Sequence, residues 1–405
     1  MEPNLLSIND PRNEQQAKRE AESQKAVPGG AHSGNPTVPS LTIAPKSGRK
    51  RKILCMIPAG EVYDHNCVRW YKHDNIQRNI NNYHNIGDAF VYDSSLKLLD
   101  YEQLDVMEIR TCEQKDIDRY NAEYDYVFLR GSNYINSSMN WSMAEEVISK
   151  LKIPVIAFGV GAQAPSKGPL ELSAESIRVL HAISDKSESL GVRGAYTAQV
   201  LWDIGIRNAR IIGCPTLFRN NDPDLRIDLP PLEKIKKVAF TLRREVSSTY
   251  AQDVARYLQV HRDVIFDLDK KFDLTIEAQG EVEEKKILWG TPEQKQEAID
   301  LLMKHKWFTG QDDRMLELYQ TKLFYSDVVS DYAKLMRSMD LVLGFRLHGN
   351  LIALANGVPS IYFTYDSRTA EFAETFQIPS FDVFGDKEFV LEEYWQQSRF
   401  EHFNR

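Results

Sequence analysis

Cysteine is scarce in this chain, with only Cys55, Cys67, Cys112 and Cys214 among 405 residues. The four stand apart within apolar stretches, and no two have the close spacing of zinc ligands. Neither a disulfide framework nor a structural metal site is expected, and the thiols read as reduced. Long apolar runs are also missing. No stretch approaches the roughly 20 apolar residues that cross a bilayer. The opening MEPNLLSINDPRNEQQAKRE has no apolar core of signal-peptide type. A cytoplasmic protein is expected, with the inner face of a membrane and peripheral contact left open. Positive charge is in deficit, with a formal net charge of −8. That argues against nucleic acid as partner, because a phosphate backbone demands a basic face. A local basic pocket for a small anion remains compatible with it. Two phosphate-binding patterns are absent as well: no G-x-G-x-x-G with its following acid, and no G-x-x-x-x-G-K-[ST].

What is present is an ordinary globular composition, 42% hydrophobic and 27% charged. The length exceeds one ordinary core, so two domains are expected. Residues 1–50, with stretches such as AVPGGAHSGNPTVPS, lack periodicity and read as a disordered tail ending in the basic run GRKRK. Then KILCMIP, YDYVFLRG, IPVIAFGVGAQ, SLGVRG and ARIIGCP read as buried strands. Helical patterns alternate with them: one from Asp88, one capped by Ser173, and one closed by Gly205. The stretch RNNDPDLRIDLPPLEK breaks the pattern and reads as a linker. Alternation resumes with KVAFTLRRE, YAQDVARYLQV, FDLTIEAQG, a helix capped by Thr291 with Pro292 in its first turn, DVVSDYAKLMRSM, and LVLGFRLHGNLIALANGVPSIYF. The expected organisation is a tail (1–50), an N-terminal Rossmann-like domain (51–225), a C-terminal Rossmann-like domain (226–385) and a terminal helix (386–405). The fold class is α/β, with parallel sheets.

In open α/β sheets, ligands lie outside the carboxyl ends of the strands. The polar residues at such ends are therefore the candidates. NIGD (85–88) precedes a helix, while RGSN (130–133) and GVGAQ (159–163) follow strands. Arg193 leaves a strand, Arg346 and His348 leave LVLGF, and Arg368 follows IYFTYDS. A charge emerging from a buried strand needs a partner, and a substrate anion could serve for Arg346. The free N–H groups of the helix starting near Leu347 would favour the same anion. His348 would then be protonated and act as a general acid. The structural reading, a core histidine and locally paired arginines, stands beside this one. His65, His73 and His84 have no carboxylate–histidine ligand spacing, so no metal is expected there. The acidic groups in EVEEK and LEEYW read as solvated faces. The residues alone thus reach an anion-using transferase or binder.

At these positions the chain resembles the polysaccharide pyruvyl transferase family, over roughly residues 53–380. The resemblance rests on NIGD, GVGAQ, VRGAYTAQVLWDIGI, GCPTLF and GFRLHGNLIALANGVPSIYFTYDSR occurring in that order. It implies two Rossmann-like domains in the GT-B arrangement with a cleft between them. It also implies transfer of pyruvate from phosphoenolpyruvate to a sugar of an exopolysaccharide or cell-surface glycan precursor, as a cyclic ketal with release of phosphate. On that basis His348 is the general acid and Arg193, Arg346 and Arg368 hold phosphoenolpyruvate. Asp88 lies near the acceptor with Asn85 and Gly87 shaping its loop, and Asn133 and Gln163 line the acceptor side. No cofactor or metal is implied. The partners are phosphoenolpyruvate and a saccharide that could be lipid-linked, with the oligomeric state open. Two other classes compete: a GT-B glycosyltransferase using a nucleotide sugar, and a glycan-binding relative without catalysis.

Overall fold

The computed structural model describes residues 51–63, 67–69, 79–107, 109, 111–139, 142–164, 166–245, 251–310 and 313–405. The expected tail 1–50 and the positions of His65 and His73 lie outside the described residues. KILCM forms β1 (Lys52–Met56), followed by a short antiparallel hairpin of β2 (Glu61–Tyr63) and β3 (Cys67–Arg69). Next come β4 (Gln103–Val106), β5 (Tyr126–Leu129), β6 (Val155–Val160), β7 (Leu190–Val192) and β8 (Ala209–Ile211). Without the hairpin these make a six-stranded parallel sheet in the order β4-β1-β5-β6-β7-β8. All four residues of β5 are buried, as expected of a central parallel strand with both faces covered.

The second sheet holds β9 (Lys237–Thr241), β10 (Asp273–Glu277), β11 (Leu323–Phe324), β12 (Leu341–Gly344), β13 (Ser360–Thr364) and β14 (Ser380–Asp382). Its order is β11-β10-β9-β12-β13-β14, all parallel. Counted within the sheet, this is the doubly wound Rossmann order 3-2-1-4-5-6. The chain divides into two compact units. One takes 51–58 and Ser95–Pro215 around the first sheet, and the other takes Ala59–Ser94 and Thr216–Arg405 around the second. Residues 79–94 join the second unit through specific bonds. The Ile86 N–H donates to the Gln279 carbonyl at 2.8 Å, Lys285 Nζ donates to the Asn79 carbonyl at 2.7 Å, and Arg219 pairs with Asp93 at 2.7 Å. The proline-rich stretch 219–234 lies inside this unit.

Local chemistry accounts for several element ends. Ser173 Oγ accepts from the Ser176 N–H at 3.1 Å and starts the helix Ala174–Asp185. Thr291 and Gln294 form a capping box ahead of Pro292–Lys304. Gly205 takes φ +93° after the helix Ala195–Asp203. Two expectations are corrected. The helix expected from Asp88 begins at Ile86. The terminal stretch 386–405 is not one helix but a turn, Leu391–Tyr394, and a 3₁₀ turn, Gln397–Arg399. Its polar side chains are committed elsewhere: Gln397 and Asn404 amides donate to the Ile227 carbonyl, each at 2.9 Å. Among the described residues no helix is long and apolar enough to cross a membrane.

Candidate active site at the carboxyl ends of the second sheet

In the second sheet the strand order reverses between β9 and β12, which is where an open α/β sheet opens its ligand crevice. The residues leaving those strands are Arg243, Arg346 and His348. Gly344, at φ +133°, ends β12, and a Cβ there would lie 2.7 Å from the Thr241 carbonyl oxygen, so the close approach of β9 requires glycine. The chain then turns into the helix Leu347–Ala355. Thr241 Oγ1 receives the Arg346 N–H at 3.1 Å, and the Asn350 amide closes the turn onto the Gly344 carbonyl at 3.0 Å.

Arg346 does have a protein partner. Its Nη2 donates to Glu281 Oε1, its Nε to the Leu242 carbonyl at 2.9 Å and its Nη1 to the Tyr83 hydroxyl at 3.3 Å. Burial alone would raise the Glu281 pKa, but the guanidinium outweighs it and holds the carboxyl below its ordinary value. Burial likewise opposes the Arg346 charge, and Glu281 more than restores it. Of the two partners the sequence offered for this charge, a substrate anion or a local acid, the structure shows a local one, Glu281.

His348 sits in the first turn of the same helix, 6% exposed. It does not face an apolar core alone. A Cβ on Gly87 would lie 3.1 Å from His348 Nδ1, 3.0 Å from Gln279 Oε1 and 2.9 Å from Asn85 Oδ1. Gly87 is thus the bare spot against which the imidazole, the Gln279 amide and the Asn85 side chain all rest. Asn85 Oδ1 accepts from the Gly87 N–H at 3.1 Å, and the Asn85 carbonyl from the Asp88 N–H at 3.0 Å. These bonds fix NIGD as the start of its helix. The structure therefore brings Asn85, Gly87, Asp88, Arg346 and His348 into one neighbourhood.

Arg368 lies in the first turn of the helix Ser367–Phe376, which also packs Phe372 edge-on to His348 with ring centroids 6.5 Å apart. Arg368 Nη2 donates to the Tyr365 hydroxyl at 2.8 Å and lies 3.5 Å from Asp366. The same hydroxyl accepts from Arg243 Nη1. Among the described residues no carboxylate lies within ion-pair reach of Arg243. The Nε–H groups of Arg243 and Arg368 are buried and donate to no described residue. Two guanidiniums converging on one phenol, each with an unspent donor, form a natural cradle for an anion.

Arg243, Tyr365, Tyr83 and the loop EAQGE (277–281) were not singled out from sequence. The strand-end rule could have found Arg243 and Glu277, since both leave apolar strands. EVEEK was read as solvated, and that reading is corrected. Glu281, Glu283, Glu284 and Lys285 are all buried. Arg244 Nε donates to Glu284 at 2.8 Å and its Nη2 to Glu283 at 2.5 Å, so a buried cation holds these acids inside.

In the other unit, the expected residues at the ends of β5, β6 and β7 also meet. Arg193 Nη1 donates to Asn133 Oδ1, and the Asn133 amide donates to Gln163 Oε1 at 2.9 Å. Gly161 makes room: a Cβ there would lie 2.5 Å from Arg193 Cδ. Among the described residues no group of three or more His, Cys, Asp or Glu could hold a metal ion.

The fold thus defines an α/β protein of two Rossmann-like units, with a cationic, histidine-bearing corner at the switch point of the second. The sequence profile of the polysaccharide pyruvyl transferases matches residues 85–367, and the chain belongs to that family. No curated protein sequence matches it. Solved structures to which it is similar include Anabaena HepE in complex with UDP and glucose, at 10% identity and TM-score 0.41, covering 87% of this chain and 92% of that one. The Neisseria meningitidis UDP-GlcNAc 2-epimerase bound to UDP-GlcNAc is similar at 10% identity and TM-score 0.41, covering 87% and 94%.

Proposed function

We propose that this protein transfers pyruvate from phosphoenolpyruvate to a saccharide as a cyclic ketal, releasing phosphate. The observation that carries the reading is His348 in the first turn of a helix at the switch point, beside Arg346 and the Arg243–Tyr365–Arg368 cradle. The donor is a small anion with a phosphate and a carboxylate, and arginine forks suit both. His348 protonates the methylene carbon, which becomes a methyl group, and positive charge develops on the neighbouring carbon. One sugar hydroxyl adds there and loses its proton. A second hydroxyl then displaces phosphate and loses its own, closing the ketal. Arg346, Arg368 and Arg243 hold the donor, and Arg193 is assigned to the donor as well. Asp88 orients the acceptor, with Asn85 and Gly87 shaping its loop and Asn133 and Gln163 serving the acceptor side. The acceptor is a sugar of an exopolysaccharide or cell-surface glycan precursor, lipid-linked or free, which suits a cytoplasmic site of action.

The test is thermal unfolding with phosphoenolpyruvate. At about a hundred times its Kd, a ligand adds roughly 2.7 kcal/mol of stability, a shift of several degrees. The expected result is that shift in the wild type and its loss in Arg243→Ala and Arg368→Ala, with ketal and phosphate formed when a glycan acceptor is added. Stabilisation by UDP and not by phosphoenolpyruvate would replace the reading with a nucleotide-sugar enzyme. A shift without turnover on any acceptor would favour a binding protein.

A further inference from the structure

The loop Glu277–Glu281 leaves the end of β10 and lies against Arg346, the NIGD segment and the helix that carries His348. Glu281 holds Arg346, and the Gln279 carbonyl accepts from Ile86 N–H at the head of the NIGD helix. A Cβ on Gly280 would strike the His84 carbonyl oxygen at 2.5 Å, so the two loops lie backbone to backbone. Within this loop Glu277 has no evident task. It is fully buried, its Oε1 accepts from Gln279 Nε2 at 2.8 Å, and its Oε2 takes no hydrogen bond from any described residue. Oε2 lies against the helix that carries His348, 3.3 Å from where a Cβ of Gly349 would stand, and Gln279 Nε2 lies 2.6 Å from that point. Only glycine at 349 leaves room for the pair.

We propose that Glu277 is a positioning residue for the reaction: its carboxyl group fixes the Gln279 amide between Gly349 and Gly87, and through that amide sets the ring of His348. The direction of the amide follows from chemistry. With its proton on the unpartnered Oε2, Glu277 presents Oε1 as a carbonyl oxygen that accepts, so Gln279 turns its NH₂ toward Glu277 and its carbonyl toward Gly87, where His348 Nδ1 also rests. A carbonyl on that side favours a proton on Nδ1, and the ring then has Nε2 for the exchange of a proton with substrate. The groups that face Glu277 among the described residues are the Arg346 guanidinium, the Glu281 carboxylate and the Tyr332 phenol. Burial pushes the Glu277 carboxyl up to about 8, against the pull of Gln279 and Arg346. At neutral pH it therefore keeps its proton, and an unpartnered Oε2 bears no charge. Ionisation above pH 8 would place a second anion beside Glu281 and loosen the arrangement.

This inference rests on the pyruvyl-transfer reading of His348, and its test separates the two. We would compare wild type, Glu277→Gln and Glu277→Leu in steady-state kinetics from pH 6 to 9.5. In parallel, the His348 imidazole would be titrated by NMR, its signal identified from its loss in His348→Gln. Glutamine mimics the protonated acid, so Glu277→Gln should keep kcat within about threefold at pH 7 and lose the fall in activity that wild type shows above pH 8. Glu277→Leu should lose about tenfold or more in kcat with little change in the phosphoenolpyruvate KM, and its His348 titration midpoint should move. Folding is checked in the same samples. A raised native pKa costs the folded state stability as pH climbs from the ordinary carboxylate value toward 8, so Glu277→Gln should gain more in Tm over wild type at pH 8 than at pH 5. A Glu277→Leu protein with wild-type kcat and an unmoved His348 midpoint would overturn the proposal. So would a Glu277→Gln protein as impaired as Glu277→Leu, because the exchangeable proton would then be in use. Absence of ketal formation by the wild type would sink the function and leave the His348 titration to decide the role of Glu277.

Discussion

His348→Gln is expected to lower ketal formation by about 10² to 10⁴-fold, the range that a positioned proton donor contributes. The donor should still bind, because Arg243, Arg346 and Arg368 are untouched, so the phosphoenolpyruvate-induced shift in Tm should persist. Glutamine keeps a polar side chain of similar reach beside Gly87 and Gln279, so the fold should survive the change. A second readout follows from the site of protonation. In D₂O the wild-type product should carry one deuterium in its new methyl group, because the proton reaches carbon from an exchangeable donor. Turnover of His348→Gln within about threefold of wild type would end the assignment of His348. A product methyl without deuterium would end the mechanism itself.

The parts of this site differ in how openly the sequence showed them, and the reason is physical. Strands buried on both faces are plain apolar runs, so β5 and β12 are legible, as are caps whose side chain bonds its own helix, such as Ser173 and Thr291. Residues that exit such strands are legible by the same logic, and Arg193, Arg346, His348 and Arg368 all stand where strand ends were expected. What stayed hidden depends on partners distant in sequence. Glu281 reads as one acid in a charged run, yet it is buried because Arg346, 65 residues later, neutralises it. Glu283 and Glu284 are buried only because Arg244 lies about 40 residues earlier in the chain. A run of charges gives no sign of which member has met its counter-ion. The terminal stretch failed for a related reason, since its helical pattern was outweighed by amides bonded to Ile227.

Breaking the Arg346–Glu281 pair from either side should cost about 3–5 kcal/mol, the usual penalty for leaving a buried charge alone. Arg346→Met would strand the Glu281 carboxylate and Glu281→Leu the guanidinium, each seen as a lower denaturant midpoint. The double variant should recover most of that loss, because two apolar side chains can replace a buried ion pair at little cost. The pair's share of stability has a definite pH sign. Glu281 has a depressed pKa in the fold, so its contribution is present above the ordinary carboxylate value and disappears as pH falls through the lower folded value. The double variant should lack that acid-side loss. Activity should follow a different rule. If Arg346 also grips the donor, the double variant will be stable yet need about a hundredfold more phosphoenolpyruvate to reach half its rate, the order expected when a charge-assisted bond to substrate is removed. A double variant with wild-type stability and wild-type KM would make the pair purely architectural and leave donor binding to Arg243 and Arg368. A separation of the two effects would show that one guanidinium serves both ends: Glu281 keeps it charged and fixed in a buried corner, and the same group binds the donor.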